Sequence, residues 1–552
     1  MKIIKTILCL FAAILLLLPF DTVQAWSSFR NEHGTANANT TPAKTPIEPD
    51  RAGTKWNIAF EQGGKTVYNS DPVITDTNIY VVCKSSLYQL DKSGTVCSAL
   101  TLAAPMNSIC RMTLNGNHLF IPLSGGIVQC VNIQTMASLW TSEPFGLQSL
   151  TTTYYHDGFL YAGTTNASGT DGLYYCLSAD DGRTQWTYTS PDNPCGYYWS
   201  GAVSGQSFLL FGGDNGTIIS HSLKEDTVYD TCDLSRYTKT AGGIRAGITY
   251  DDVTEAYYTT TNNGYLYQIK MNADGTFQRV TPLSLCSPAT QGANCTSTPT
   301  IYNGRLYVCS FDGQNGRVNV IDPASMQMLY AVSAPDLRDI KSSPLVCTGY
   351  ASPENNYKVY VYFTQNVVPG GIFYIEDDET THSSDIKTLY LPETGKQFCL
   401  SSVAADTDGT LYYSNDSGTL FAVQDGFAAG PHTPATTPPA AVSPEPDVPA
   451  VSSVPSVRHA KQKKKQKLKK PTKIKYRKKK IGKKTYRVTF TWKKRMKSSS
   501  TEIVIRGTSH KRFRSKSHKK SVLLKKGTYV VRFYSCQSGK IKSGAVKLRL
   551  RI

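Results

Sequence analysis

The 552-residue chain is short of charge, with 18% Asp, Glu, Lys and Arg against an average of about 25%. Acids are scarcest at one end. From Arg458 onward there are 36 Lys and Arg and a single acid, Glu502, whereas the residues before it carry 24 basic and 40 acidic side chains. A division of +35 against −16 implies two functional units. Beyond the first 20 residues no segment is apolar and long enough to cross a bilayer as a helix, so no transmembrane segment is expected in the mature chain. The nine histidines form no metal-like pair, and the 14 cysteines include no adjacent pair and no zinc-type spacing. There is no glycine-rich phosphate loop and no nucleophile elbow, which removes the P-loop and α/β-hydrolase readings.

What is present begins with "MKIIKTILCLFAAILLLLPFDTVQA": two lysines, an apolar run from Ile7 to Phe20, and the small-residue ending Val23-Gln24-Ala25. This is the pattern of a secretory signal peptide over residues 1–25, cut between Ala25 and Trp26. The mature chain is expected to be secreted, extracellular or associated with the cell surface. Residues 427–460 are rich in Pro, Ala, Ser and Thr, bury nothing, and read as a linker.

Between leader and linker one unit recurs. Its aromatic strands are "NIYVV", "HLFIP", "FLYAG", "FLLFG", "AYYTT", "RLYVC", "KVYVY" and "TLYYS", centred on Tyr80, Phe120, Tyr161, Leu210, Tyr258, Tyr307, Tyr360 and Tyr412 at intervals of 40 to 53 residues. An answering strand follows each, and glycine starts seven of the eight, as expected of hairpins that need a positive φ. Short strands repeating every 40–50 residues predict β-propeller blades. Eight repeats predict an all-β, eight-bladed propeller over residues 26–426. The eighth unit ends at "FAVQDG" without an outer strand, and "TKWNIAF" around Trp56 has no unit of its own. The Trp56 strand is therefore expected to close the ring, leaving no open sheet edge.

The stretch "WSSFRNEHGTAN" and the unit "GLYYCLSADDGRTQW" resemble the propellers built from pyrroloquinoline-quinone (PQQ) repeats, the quinoprotein alcohol dehydrogenase-like superfamily. That resemblance implies the fold and leaves function open. The superfamily includes PQQ-dependent dehydrogenases of alcohols and sugars and also non-catalytic members such as the scaffold lipoprotein of the outer-membrane barrel-assembly machinery. A dehydrogenase of this class needs Ca²⁺ with several oxygen ligands, and its alcohol-oxidising branch carries adjacent cysteines that are missing here. Asp406 and Asp408 in "ADTDG", and Asp180 and Asp181 in "SADDG", read as turn residues. His118, His156 and His221 fall in different units and read as packing or surface residues. Serines in "SSPLV" and "SSVAA" mark inner strands crowded around the channel. No catalytic residue, cofactor or metal is assigned. A non-catalytic binding scaffold is the leading expectation, with a PQQ/Ca²⁺-dependent dehydrogenase as the alternative.

"LPETG" at Leu391–Gly395 matches a sortase signal, but 157 residues follow it with no hydrophobic anchor. It reads as the turn between the seventh and eighth units, comparable to "ADDGRTQW". Cys286 and Cys295 in "LCSPATQGANC" are the candidate disulfide of an exported protein, with free thiols the open alternative.

The C-terminal part starts with a lysine-rich segment, residues 461–480, including Lys461, Lys463, Lys464, Lys465, Lys467, Lys469, Lys470, Lys478, Lys479 and Lys480. Alternating strands follow, and "VTFTWKK" with "LKKGTYVVRFYS" resembles a fibronectin type III domain. Residues 473–552 are thus expected to form a small basic β-sandwich. Lysine density points to an anionic cell-surface polymer as partner, by counterion release. Nucleic acid is not expected behind an export signal. The propeller face is left to an unknown protein or glycan.

Overall fold

The computed structural model describes residues 26–29, 39–60, 66–191, 193–240, 242–286, 292–333, 339–427 and, beyond the linker, the segments 472–480, 485–493, 500–507, 511–515, 519–526, 528–536 and 546–551. Residues 1–25, expected to form a signal peptide, residues 428–460 of the expected linker, and Lys461 to Lys470 lie outside the described residues. The chain divides into two units, Met1–Pro446 and Asp447–Ile552.

Among the described residues of the first unit, eight antiparallel sheets follow one another along the chain. The second is typical, with strands Thr113–Asn115, His118–Leu123, Ile127–Asn132 and Ala137–Thr141 in that order. The second and third strands of each sheet are the recurring aromatic and answering strands, and the aromatic strands are buried along nearly their whole length. The glycines that start the third strands have two different causes. Gly126, Gly216, Gly264 and Gly418 do hold a positive φ. Gly172 does not, and is required by close approach, since a Cβ there would lie 2.0 Å from the Thr164 carbonyl oxygen.

The eighth sheet draws its fourth strand from the start of the chain. Ala52–Ala59 pairs antiparallel with Thr419–Asp425, from Ala52 opposite Asp425 to Ala59 opposite Thr419. Trp56 in this strand docks on the first sheet: its indole N–H donates to the Lys92 carbonyl at 3.0 Å, and its ring lies on Gly94, where a Cβ would come within 2.6 Å. Trp140, in the fourth strand of the second sheet, docks in the same way on the third, donating to Ala179 at 3.3 Å and covering Gly182. The first sheet thus follows the eighth as the third follows the second.

The tyrosines at the centre of the aromatic strands tie neighbours together. Tyr80 donates to the Ile133 carbonyl, Tyr161 to Leu223, Tyr258 to Pro323, and Tyr307 to the Asp377 carboxylate, each in the next sheet. Each hydroxyl is thereby satisfied within the apolar seam, which avoids the cost of an unpaired buried donor.

Residues 26–29 and 39–41 are threaded among the first strands. Trp26 exchanges backbone hydrogen bonds with Ile74 at 2.9 and 2.8 Å, and Leu114 N–H donates to Ser27. Thr40–Thr41 runs parallel to Leu345–Cys347. Trp26, Ser27, Ser28, Phe29 and Asn39 are all buried.

The "LPETG" segment follows the fourth strand of the seventh sheet, Lys387–Tyr390, and precedes the first strand of the eighth, Ala404–Ala405. It is a connection between sheets, pinned by Asn415 donating to the Gly395 carbonyl at 2.7 Å. It is therefore not the counterpart of "ADDGRTQW", which is a turn inside the third sheet.

Among the described residues of the second unit, seven strands form a three-stranded and a four-stranded sheet. Their apolar rows, including Val488, Phe490 and Trp492 from the first sheet and Ile503, Ile505, Tyr529, Val531 and Phe533 from the second, share one core. The Trp492 N–H is satisfied by Thr501 at 2.7 Å.

Candidate functional site: a girdle of eight residues

In an antiparallel four-stranded sheet, the connection from a fourth strand to the next first strand emerges at the same end as the hairpin between the second and third. At that end one position recurs: the residue two places ahead of each first strand, which is Asp71, Arg111, Thr152, Gly201, Gly247, Thr298, Ser343 and Ser402 in turn. These eight touch in a closed circle. Arg111 faces Asp71 at 3.5 Å and forms a bridge with Thr152. A Cβ on Gly201 would meet Thr152 at 3.9 Å and Gly247 at 3.3 Å. Gly247 N–H then donates to Thr298, Thr298 to Ser343, and Ser343 to Ser402, at 2.8, 3.0 and 2.9 Å. Ser402 completes the circle beside Asp71, where its backbone N–H favours the charged form of the carboxyl.

Six of the eight are small, as crowding about an axis demands. Asp71 and Arg111 are the exception, a buried ion pair in the wall. Burial outweighs the guanidinium and pushes the Asp71 carboxyl up to about 6. Arg111 also donates to the Trp199 carbonyl at 3.1 Å, and its guanidinium sits 3.8 Å over the Phe29 ring, a contact worth about 0.5–2 kcal/mol. Beside it Ile109, Leu150 and Trp199, from three different connections, form an apolar cluster with Tyr198 and Leu400 packed against it.

The same end carries further charged groups. Arg245 makes a bidentate pair with Asp214, at 2.8 and 2.7 Å, and stacks 4.4 Å from Tyr198. Lys341 holds Asp339 at 3.1 Å. Asp416, in the hairpin of the eighth sheet, is pushed up to about 6 by burial, which Lys341 only partly offsets. The same end exposes Leu147, Val368, Leu391 and Phe398. An open cleft of about 620 Å³ lies at the opposite end, beside the seventh sheet, lined among others by Glu48, Asp50, Tyr360, Tyr374, Glu376 and Lys387.

The residues singled out in the sequence take other places. Asp406 is buried, accepting from Tyr412 and from the backbone of Asp408 and Thr410 within its turn. Asp181 accepts from the Arg183 N–H in the turn of the third sheet, and Asp180 is exposed there. His221 is buried with its ring 4.0 Å from that of Trp186 in a tilted arrangement, and desolvation lowers its pKa. His156 contacts Ser204 at 3.1 Å and is likewise lowered by burial. His118 starts an aromatic strand. Cys286 and Cys295 are free, buried thiols in one apolar cluster, with Cys295 donating to the Cys309 carbonyl at 3.1 Å. Burial pushes the Cys295 thiol up to about 12, so the thiolate needed for metal binding or exchange is disfavoured. Of the ten lysines, Lys478, Lys479 and Lys480 are described, all exposed on the edge strand Thr472–Lys480. Sequence reasoning missed the girdle. Its signal was present as a column of small residues at a fixed offset from each first strand, of which only "SSPLV" and "SSVAA" stood out.

No family model and no curated protein matches the chain. Solved structures do. The quinohemoprotein alcohol dehydrogenase ADHIIG of Pseudomonas putida HK5 aligns at 11% identity over 75% of this chain and 82% of its own, with a TM-score of 0.54. The corresponding enzyme of Comamonas testosteroni aligns at 12% identity over 76% and 83%, also at 0.54. A europium-containing methanol dehydrogenase aligns at 11% over 72% and 90%, at 0.53. The chain shares the β-propeller fold of these structures. At such identity the likeness speaks for fold alone.

The residues at the mouth do not fit a quinone with its metal. Among the described residues no group of three or more His, Cys, Asp or Glu could hold a metal ion. Asp71, Asp214 and Asp339 each face an Arg or Lys, and Ile109, Leu150 and Trp199 close on one another in an apolar cluster.

Proposed function

We propose that this protein is a non-catalytic binding scaffold: a closed, eight-bladed propeller that is exported, takes a protein or glycan on the girdle end of the ring, and is retained at an anionic cell surface by its basic C-terminal unit. The eight sheets, the closed circle of girdle contacts and the seam made by Ala52–Ala59 support eight blades. The observation that carries the function is the make-up of the girdle end. Asp71, Asp214 and Asp339 are each paired with a cation and Ile109, Leu150 and Trp199 pack together, so what this end offers outward is a rim of rings and exposed apolar groups. Buried aromatic and arginine anchors within such a rim are what protein interfaces use. The second unit, with its two sheets around Trp492, is read as fibronectin type III-like. Cleavage between Ala25 and Trp26 is supported by the packing of the chain from Trp26 onward.

The alternative, a PQQ/Ca²⁺-dependent dehydrogenase, is favoured by the fold likeness. One experiment separates the two. Purified protein is given PQQ, Ca²⁺, an artificial electron acceptor and a panel of alcohols and sugars, while the propeller unit is used to capture partners from the producer's surface fraction. Specific capture that is lost on Phe398→Asp, without turnover, supports the scaffold. Sustained turnover overturns it.

A further inference from the structure

The lysine-rich leader of the second unit is the obvious seat of polyanion binding, yet a folded surface beside it has the better geometry. The three-stranded sheet is made of Thr472–Lys480, Thr485–Lys493 and Lys519–Lys525, in that order. These strands contain 11 Lys and Arg and no acid, whereas the tail's one acid, Glu502, belongs to the other sheet. Val488, Phe490, Trp492, Val522 and Leu524 point into the core, so the alternate residues form the outward face.

The register fixes that face row by row. Lys475 stands opposite Thr491, which stands opposite Lys519. Arg477 stands opposite Thr489, and Thr489 opposite Ser521, with their hydroxyls 2.8 Å apart. Lys479 stands opposite Arg487. Lys475, Arg477, Lys479, Arg487 and Lys519 are all exposed. The middle of the sheet therefore presents Thr491, Thr489 and Arg487, flanked on one side by Lys475, Arg477 and Lys479 and on the other by Lys519, Ser521, Leu523 and Lys525, with a cation at each end of that second flank. Edge lysines alone would be ordinary protection against strand pairing. Arg487, Thr489 and Thr491 are on the central strand, which is not an edge, so protection does not account for the whole pattern.

We infer that this outward sheet face is a docking surface for a linear polyol-phosphate polymer, lying along the central strand with its phosphates met by the cations of the two flanks. Residues on one face of a strand recur about every 6.7 Å, comparable with the repeat of a polymer carrying one phosphate per three-carbon unit. Guanidinium and ammonium groups supply charge-assisted contacts, and Thr and Ser hydroxyls can donate to phosphate oxygens. This inference rests on the reading of the C-terminal unit as a surface-retention module and places the contact within it.

The test uses the full chain and synthetic poly(glycerol phosphate), with a sulfated glycan, anionic vesicles and single- and double-stranded DNA as comparison ligands. Two variants remove equal charge from one strand. Arg477→Gln with Lys479→Gln strips the outward face, and Lys478→Gln with Lys480→Gln strips the side shared with Val488. The first pair should weaken poly(glycerol phosphate) binding at least tenfold, and should lower the salt dependence of log K by about 1.4, for two contacts at roughly 0.7 each on a single-stranded polymer. The second pair should change it less than threefold, and both should keep the parent's circular dichroism and melting. Equal losses from both pairs, or a loss confined to a variant with Lys461 to Lys470 neutralised, would overturn the face while leaving the retention module intact. Tenfold preference for DNA, vesicles or sulfated glycan would overturn the polyol-phosphate assignment. An intact chain that binds none of the ligands sinks the retention reading itself.

Discussion

Replacing Trp56 with alanine removes a side chain that is only 7% exposed and sits on the seam between the last sheet and the first. The indole fills the space over Gly94, lies 5.8 Å from the Tyr412 ring, and holds the Lys92 carbonyl. Lys92 in turn pairs with Asp406 at 3.2 Å. A core Trp→Ala change costs about 3–5 kcal/mol, and the carbonyl left behind adds about 1 kcal/mol where water cannot reach it. Trp140→Ala is the matched control, because it removes the same kind of contact between the second and third sheets, which are joined by a short connection. Urea unfolding should show both variants destabilised. Only Trp56→Ala should also accelerate hydrogen exchange in Ala52–Ala59 and Thr419–Asp425, since that pairing is held by contacts across the seam. Deletion of residues 26–60 should go further, lowering solubility and abolishing a single cooperative transition, because two sheet edges are then unpaired. If Trp56→Ala stays within 1 kcal/mol of the parent with unchanged exchange in those strands, the seam does not close the ring.

Other outcomes follow from the girdle and the loops. Because folding raises the Asp416 carboxyl to about 6, the folded state holds more proton than the unfolded one between roughly pH 4 and 6, and stability from this group falls as pH rises through that window. Asp416→Asn should therefore be more stable than the parent by about 1–3 kcal/mol at pH 7 and indistinguishable at pH 4, measured as the difference in urea midpoints; the reverse order refutes the assignment. Arg111→Ala strands a buried carboxylate and should cost about 3–5 kcal/mol, with Asp71→Asn recovering part of it in a double-mutant cycle. Thr394→Ala should leave surface retention unchanged in a salt-wash assay, since Leu391–Gly395 is an inter-sheet connection; retention lost only in that variant would restore a covalent attachment.

The sequence by itself determined the architecture that depends on local period. Alternation within each strand, glycine between strands and the recurrence of the aromatic row placed the sheets, and the orphan strand at Trp56 matched the unit that lacked one. The tail's alternating rows likewise announced two sheets around Trp492. Tertiary structure decided everything that joins residues 40 or more positions apart without sharing a period. Asp71 and Arg111 look like loop residues until the circle brings them into one wall. The burial of Trp26 to Phe29 among the first strands has no marker in composition. The fate of Cys286 and Cys295 depends on whether their surroundings raise their thiols, which only packing shows. For the lysine-rich strand Thr472–Lys480, composition counted the charges, and cross-strand register alone sorted them, placing Lys479 on the outward face and Lys478 and Lys480 on the other. Strand period is written in adjacent residues; the meeting of distant ones is set by how the blades pack around the axis.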